Sequence, residues 1–85
     1  MKLSISKRYQ CPCCGYYTFE SEPNGDYGIC PVCYWEDDGI AYDNPNEVCD
    51  CNGVSLNEAR KNYLEFGACR EDMVKYVRKP RNEEL

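Results

Sequence analysis

Two short cysteine turns, Cys11-Pro12-Cys13-Cys14 and Cys30-Pro31-Val32-Cys33, constrain this chain more than any other feature. Each contains Cys-x-x-Cys, a spacing that lets the backbone wrap until both sulfurs reach one ion at ~2.3 Å. In such a turn backbone amides point at the sulfurs and stabilise thiolates. Proline at the second position holds φ near the value the turn requires, and Gly15 permits a left-handed residue after the second cysteine. Fifteen residues separate Cys14 from Cys30, enough for a hairpin that brings the two turns together. The pattern is the paired Cys-x₂-Cys template of zinc sites. The chain has no histidine, so the expected ligands are Cys11, Cys14, Cys30 and Cys33. Four thiolates saturate a tetrahedral ion and leave no position for water, which makes the site structural and argues against an enzyme. Such soft ligands suit one zinc ion, with iron the less favoured occupant.

Eight cysteines in 85 residues would also fit a disulfide framework. The opening residues are basic but lack the apolar stretch of a secretion signal, and no apolar run is long enough to span a bilayer. A cytoplasmic protein keeps its thiols reduced, and close-spaced cysteines there read as ligands. Length allows a single metal-stabilised domain over 1–85. The net charge is −5, and four thiolates on a divalent ion would make it roughly −7. Phosphate backbones and anionic membranes repel such a surface, so neither nucleic acid nor membrane is an expected partner.

The pattern predicts a small α+β fold: a zinc-ribbon or rubredoxin-like hairpin over about 5–35, an acidic linker over 36–54, and two helices over about 55–78. Ile5 to Tyr9 can form an edge strand, and Tyr16-Tyr17-Thr18-Phe19 is strand-forming by composition. Asn24-Gly25 marks a turn, after which Asp26 to Ile29 returns as the partner strand. Ser55-Leu56-Asn57-Glu58 fits a helix capping box. Leu56, Ala59, Tyr63 and Phe66 recur at helical spacing, and Gly67 is a left-handed stop. A shorter helix from about Arg70 to Arg78 carries Met73, Val74 and Val77, Pro80 ends it, and Asn82 to Leu85 reads as a frayed tail.

The remaining cysteines offer less. Cys13 reads as an outward-pointing bystander, because adjacent side chains diverge and cannot readily chelate one ion together. A second ion held by Cys13, Cys49, Cys51 and Cys69 would need four scattered sulfurs to converge. The simpler expectation makes Cys69 a small buried filler and Cys49 and Cys51 loop thiols. Glu36, Asp37 and Asp38 lack the alternating pattern of a calcium loop. They read as a solvated loop with Asp38 capping a turn, or as an acidic surface for a basic partner. Tyr16, Tyr17, Tyr27, Tyr34, Trp35 and Tyr42 gather in the metal-binding half. Some are expected to pack over the turns and one or two to anchor a protein partner. The basic run Lys75, Arg78, Lys79 and Arg81 reads as favourable charge at a helix C-terminus.

Several stretches together resemble the bacterial cysteine-rich CPCC family: Tyr9-Gln10-Cys11-Pro12-Cys13-Cys14-Gly15-Tyr16, Cys30-Pro31-Val32-Cys33-Tyr34-Trp35-Glu36-Asp37-Asp38, Ser55 to Tyr63, and Phe66-Gly67-Ala68. The resemblance implies a small bacterial, cytoplasmic protein with a ribbon-like metal site, and it carries no biochemical function. Cys49-Asp50-Cys51 departs from the family pattern of Gly and Ala before the capping serine, which leaves a second ion open. The functional expectation is a zinc-stabilised protein-interaction module, in one version an inhibitor or immunity protein for a basic partner. The alternative is a rubredoxin-like iron protein carrying single electrons, against which stand the short spacing between turns and Tyr34 where rubredoxins have glycine. A thioredoxin-type enzyme lacks the strand–helix unit its motif needs.

Overall fold

The computed structural model describes residues 8–23 and 28–85. Its order is two cysteine turns, a short helix α1 (Gly39–Asp43), a longer helix α2 (Leu56–Phe66), and 3₁₀ helices at Glu71–Tyr76 and Asn82–Glu84. Strand pairing among the described residues is confined to isolated antiparallel bridges, Tyr9 with Phe19, Ile29 with Glu36 and Val48 with Ser55.

Among the described residues Tyr16–Phe19 forms no bridge with Gly28 or Ile29, the described part of the expected partner strand, and the first two bridges stand instead. Each closes a loop around its own cysteine turn. Backbone bonding explains the difference: the Tyr16 carbonyl accepts from Cys11 N at 2.8 Å and the Tyr17 N–H donates to the Glu84 carbonyl at 2.7 Å. Those groups are therefore unavailable to a neighbouring strand. Ile5 to Lys7, the Asn24-Gly25 turn, Asp26 and Tyr27 lie outside the described residues.

Helix α2 forms as its sequence predicts. The Ser55 hydroxyl accepts from Glu58 N at 3.1 Å, and Gly67 ends the helix in the left-handed region at φ 85°. Leu56 and Ala59 turn into the core. Tyr63, partly buried, meets Tyr16 edge-on with ring centroids 6.3 Å apart. On the outer face the Arg60 Nε donates to the Pro12 carbonyl at 2.8 Å, tying α2 to the first turn.

Three other segments differ from expectation. The acidic linker contains α1, capped by Asp38, whose Oδ1 accepts from Ile40 N at 2.9 Å. The predicted Arg70–Arg78 helix is a 3₁₀ segment, Glu71–Tyr76, that buries no residue. A piece so short, with no side-chain cap and little apolar surface to pack, gains too little to complete α-helical turns. Asn82 to Leu85, expected to fray, is fastened. Glu84 is only 2% exposed. Its carboxylate accepts from Arg78 Nη1 and Nη2 at 2.8 and 2.9 Å and from Arg81 N at 2.8 Å. Arg78 N in turn donates to the Pro31 carbonyl at 3.2 Å. This final segment therefore holds both cysteine turns at once.

The core runs through Cys11, Phe19, Cys30, Val32, Cys33, Trp35, Leu56, Ala59 and Cys69. No helix among the described residues is long and apolar enough to cross a membrane.

Candidate metal centre

The two turns repeat one backbone design. In the first, Gly15 N donates to the Cys11 carbonyl at 2.9 Å, and in the second Tyr34 N donates to the Cys30 carbonyl at 2.8 Å. Cys13 N faces Cys11 Sγ and Val32 N faces Cys30 Sγ, each at 3.4 Å. The residue after each second cysteine is left-handed, Gly15 at φ 82° and Tyr34 at φ 71°. A tyrosine rarely adopts that conformation. Here it is held by its backbone bond and by stacking on Tyr76, with centroids 5.3 Å apart.

The turns face each other so that the sulfurs of Cys11, Cys14, Cys30 and Cys33 all lie within 4.8 Å of one another. A tetrahedral ion with bonds of ~2.3 Å spaces its sulfurs ~3.8 Å apart. The separations are 3.6 Å for Cys11–Cys33 and 3.8 Å for Cys14–Cys30, which fits that geometry. Cys11, Cys30 and Cys33 are buried and Cys14 is partly so. The Thr18 hydroxyl lies 3.0 Å from Cys30 Sγ, where it can donate to a thiolate. Thr18 gives no metal signal in the sequence, where it stands as one threonine in an apparent strand.

Crowding redistributes the protons of these thiols. Cys30, approached by Cys11, Cys14 and Cys33, is held far below the ordinary thiol range. Contact with Cys11, then Cys13, pushes Cys33 far above it. A divalent cation would replace the shared protons and leave four thiolates.

These two turns and the segments that fasten them carry the identification, because a family model described as Cysteine-rich CPCC matches residues 9–84. The chain belongs to the cysteine-rich CPCC family. A search of curated proteins found no match.

The other expected positions in this CPCC protein are distributed differently. Cys13 is not an outward-pointing bystander; it is buried, and its backbone amide serves Cys11. Cys69 is the buried filler expected of it, its thiol pushed up to about 12 by burial and then by Cys13. The combination of Cys13, Cys49, Cys51 and Cys69 does not assemble. Cys49 and Cys51 instead meet Asp38, with ligand atoms within 4.8 Å of one another. Partial burial and then the Asp38 carboxylate push the Cys51 thiol up to about 12.

The expected acidic and aromatic face also moves. Trp35 and Asp37 are each 1% exposed and belong to the interior, so neither presents a surface. Tyr16 and Tyr34 pack within the fold, whereas Tyr17 and Tyr42 remain exposed. Of the basic run, Arg78 is committed to Glu84.

Proposed function

We infer that Cys11, Cys14, Cys30 and Cys33 hold one structural zinc ion in a zinc-ribbon-like pair of knuckles, and that the folded domain serves as a protein-interaction module. The observation that carries the metal reading is the compact four-sulfur cluster, supported by amide and hydroxyl donors and spaced for tetrahedral bonds. A four-thiolate ion has no open position, so the centre holds the fold and does no chemistry on a substrate.

The partner reading rests on what is left outside. Ile40, Tyr42 and Val48 are exposed, and so are Asp43, Glu47 and Asp50 between and beside them. Apolar anchors among carboxylates suit a basic protein, steered by charge and held by buried contact. An inhibitor or immunity role toward such a partner is one specific form of this reading.

Metal analysis of the protein purified under reducing conditions tests the first part. A colourless preparation with zinc bound at the four cysteines, lost together with the fold on chelation, is the expected result. For the second part, a photoreactive residue at Tyr42 should capture a discrete basic protein in the cells that make this chain. Capture no greater than from a probe at exposed Glu65 overturns it.

One observation removes an objection to the iron reading. Tyr34 adopts the left-handed conformation that glycine would otherwise supply, so the tyrosine itself does not oppose a rubredoxin-like knuckle. A red protein with iron on the four cysteines would move the assignment to electron transfer.

A further inference from the structure

A second cluster lies apart from the four-cysteine centre, where α1 begins and the chain turns toward α2. Cys49 Sγ and Cys51 Sγ are 3.8 Å apart, and Cys51 Sγ is 3.4 Å from Asp38 Oδ2. We propose that Asp38, Cys49 and Cys51 form a second metal site, taking zinc or another thiophilic divalent cation through two thiolates and one carboxylate.

The spacing is that of a coordination shell. Zinc bonds of ~2.3 Å to sulfur and ~2.0 Å to oxygen, set tetrahedrally, put two sulfurs ~3.8 Å apart and a sulfur and an oxygen ~3.5 Å apart. The local fold holds all three groups in place. Asp38 commits Oδ1 to the cap of α1, which leaves Oδ2 facing the sulfurs. Cys49 opens a turn closed by Gly53 N on the Cys49 carbonyl at 2.8 Å. The Val48–Ser55 bridge encloses that turn.

Asn52 supplies an independent observation. It is 4% exposed and clamped to the backbone of Glu36, whose N–H it accepts and whose carbonyl it donates to, both at 2.8 Å. Its Nδ2 also stands 3.2 Å from Cys49 Sγ and 3.4 Å from Cys51 Sγ. An amide nitrogen has two protons; one serves Glu36, and the other is directed between the two sulfurs. A buried donor held on a pair of sulfurs stabilises their thiolate forms, as backbone amides do in the cysteine turns.

The two sites differ in chemistry. Four thiolates close the first, whereas Asp38, Cys49 and Cys51 supply three ligands and leave a fourth position. Cys51 is exposed, and the site borders a surface depression lined by Ile40, Val48 and Asp50. Water or a partner's side chain would complete this coordination, so the ion is exchangeable and open to a ligand. Two thiolates and a carboxylate around a divalent cation carry one net negative charge, less than the four-thiolate centre carries.

Cadmium titration of the reduced full-length chain, read by cadmium NMR and by metal content, tests the proposal. The expected result is two cadmium resonances, one in the four-sulfur region and one shifted toward mixed sulfur–oxygen ligation, with two ions per chain. Cys51→Ser should remove the second resonance and leave the first. Asp38→Asn keeps a side-chain acceptor to cap α1, so the fold survives while the carboxylate is lost. It should weaken the second site by at least the ~10- to 100-fold that losing an outer supporting contact costs. A single resonance and one ion in the wild-type chain would overturn the proposal, as would a second resonance unmoved in both variants. Loss of the four-sulfur resonance alone would strike the zinc-knuckle reading and leave this one standing.

Discussion

Replacing Glu84 by Gln tests whether the segment after Pro80 holds the two cysteine turns in register. Arg78, which donates to both carboxylate oxygens, holds the Glu84 carboxyl down from 4.5 to about 2. That difference between folded and unfolded chains corresponds to about 3 kcal/mol. Arg78 is one-third exposed, and solvent screening lowers the working figure to about 2 kcal/mol. Glutamine can still accept from Arg81 N, so the change isolates the charged pair. Urea unfolding at pH 7, with reductant and excess zinc, should show Glu84→Gln less stable by about that amount. A cycle with Arg78→Gln should assign most of the loss to coupling between the two residues. The pH dependence has a definite sign. A depressed carboxylate pKa stabilises the fold fully above the unfolded value, and this is lost as pH falls through the folded one. The gap between wild type and variant should therefore stay constant from pH 7 to about 4.5 and begin to narrow below it, over the range in which the thiolates still hold zinc. A coupling energy below ~0.5 kcal/mol, the range of exposed pairs, would refute the reasoning.

Cys30→Ser should abolish metal binding at the first centre and unfold the paired turns, because binding free energy there is folding free energy. Cys13→Ser should keep the metal and lose roughly 1 kcal/mol of stability, as expected for a buried position; loss of the metal would show that the ligands of the first turn are misassigned. Thr18→Val removes the hydroxyl from Cys30 at similar volume and should weaken zinc affinity ~10- to 100-fold in a chelator competition. An unchanged affinity would reduce Thr18 to packing. Filter binding at ~50 mM salt should detect no DNA or RNA, since a chain of this charge repels phosphates most strongly at low ionic strength. Salt-sensitive binding would remove the basis of the acidic-surface reading.

The parts legible in the sequence are those governed by neighbours a few residues apart. The Cys-x-x-Cys turns and the left-handed Gly15 are local, and so are the Ser55 cap, the apolar spacing of α2 and the Gly67 stop. Each was readable because the residues that cause it lie within one or two turns of chain. The Asp38 cap was readable for the same reason. Strand composition at Tyr16–Phe19 yields one bridge, Phe19 with Tyr9, because a distant carbonyl, that of Glu84, takes the Tyr17 amide. The acidic run misled in a related way, since three consecutive carboxylates do not reveal that Asp37 lies inside and that Asp38 Oδ2 faces Cys51.

Residues close together in the chain specify the two cysteine turns and helix α2, and they carry the family resemblance. The burial of Cys13, the fastening of both turns by Glu84 and the convergence of Asn52 and Asp38 on Cys49 and Cys51 come from packing between distant segments. The reason is the range of the forces. Dihedral preference, capping and chelate spacing act along the chain, whereas burial and convergence of polar groups depend on which distant segments the folded core brings within bonding distance.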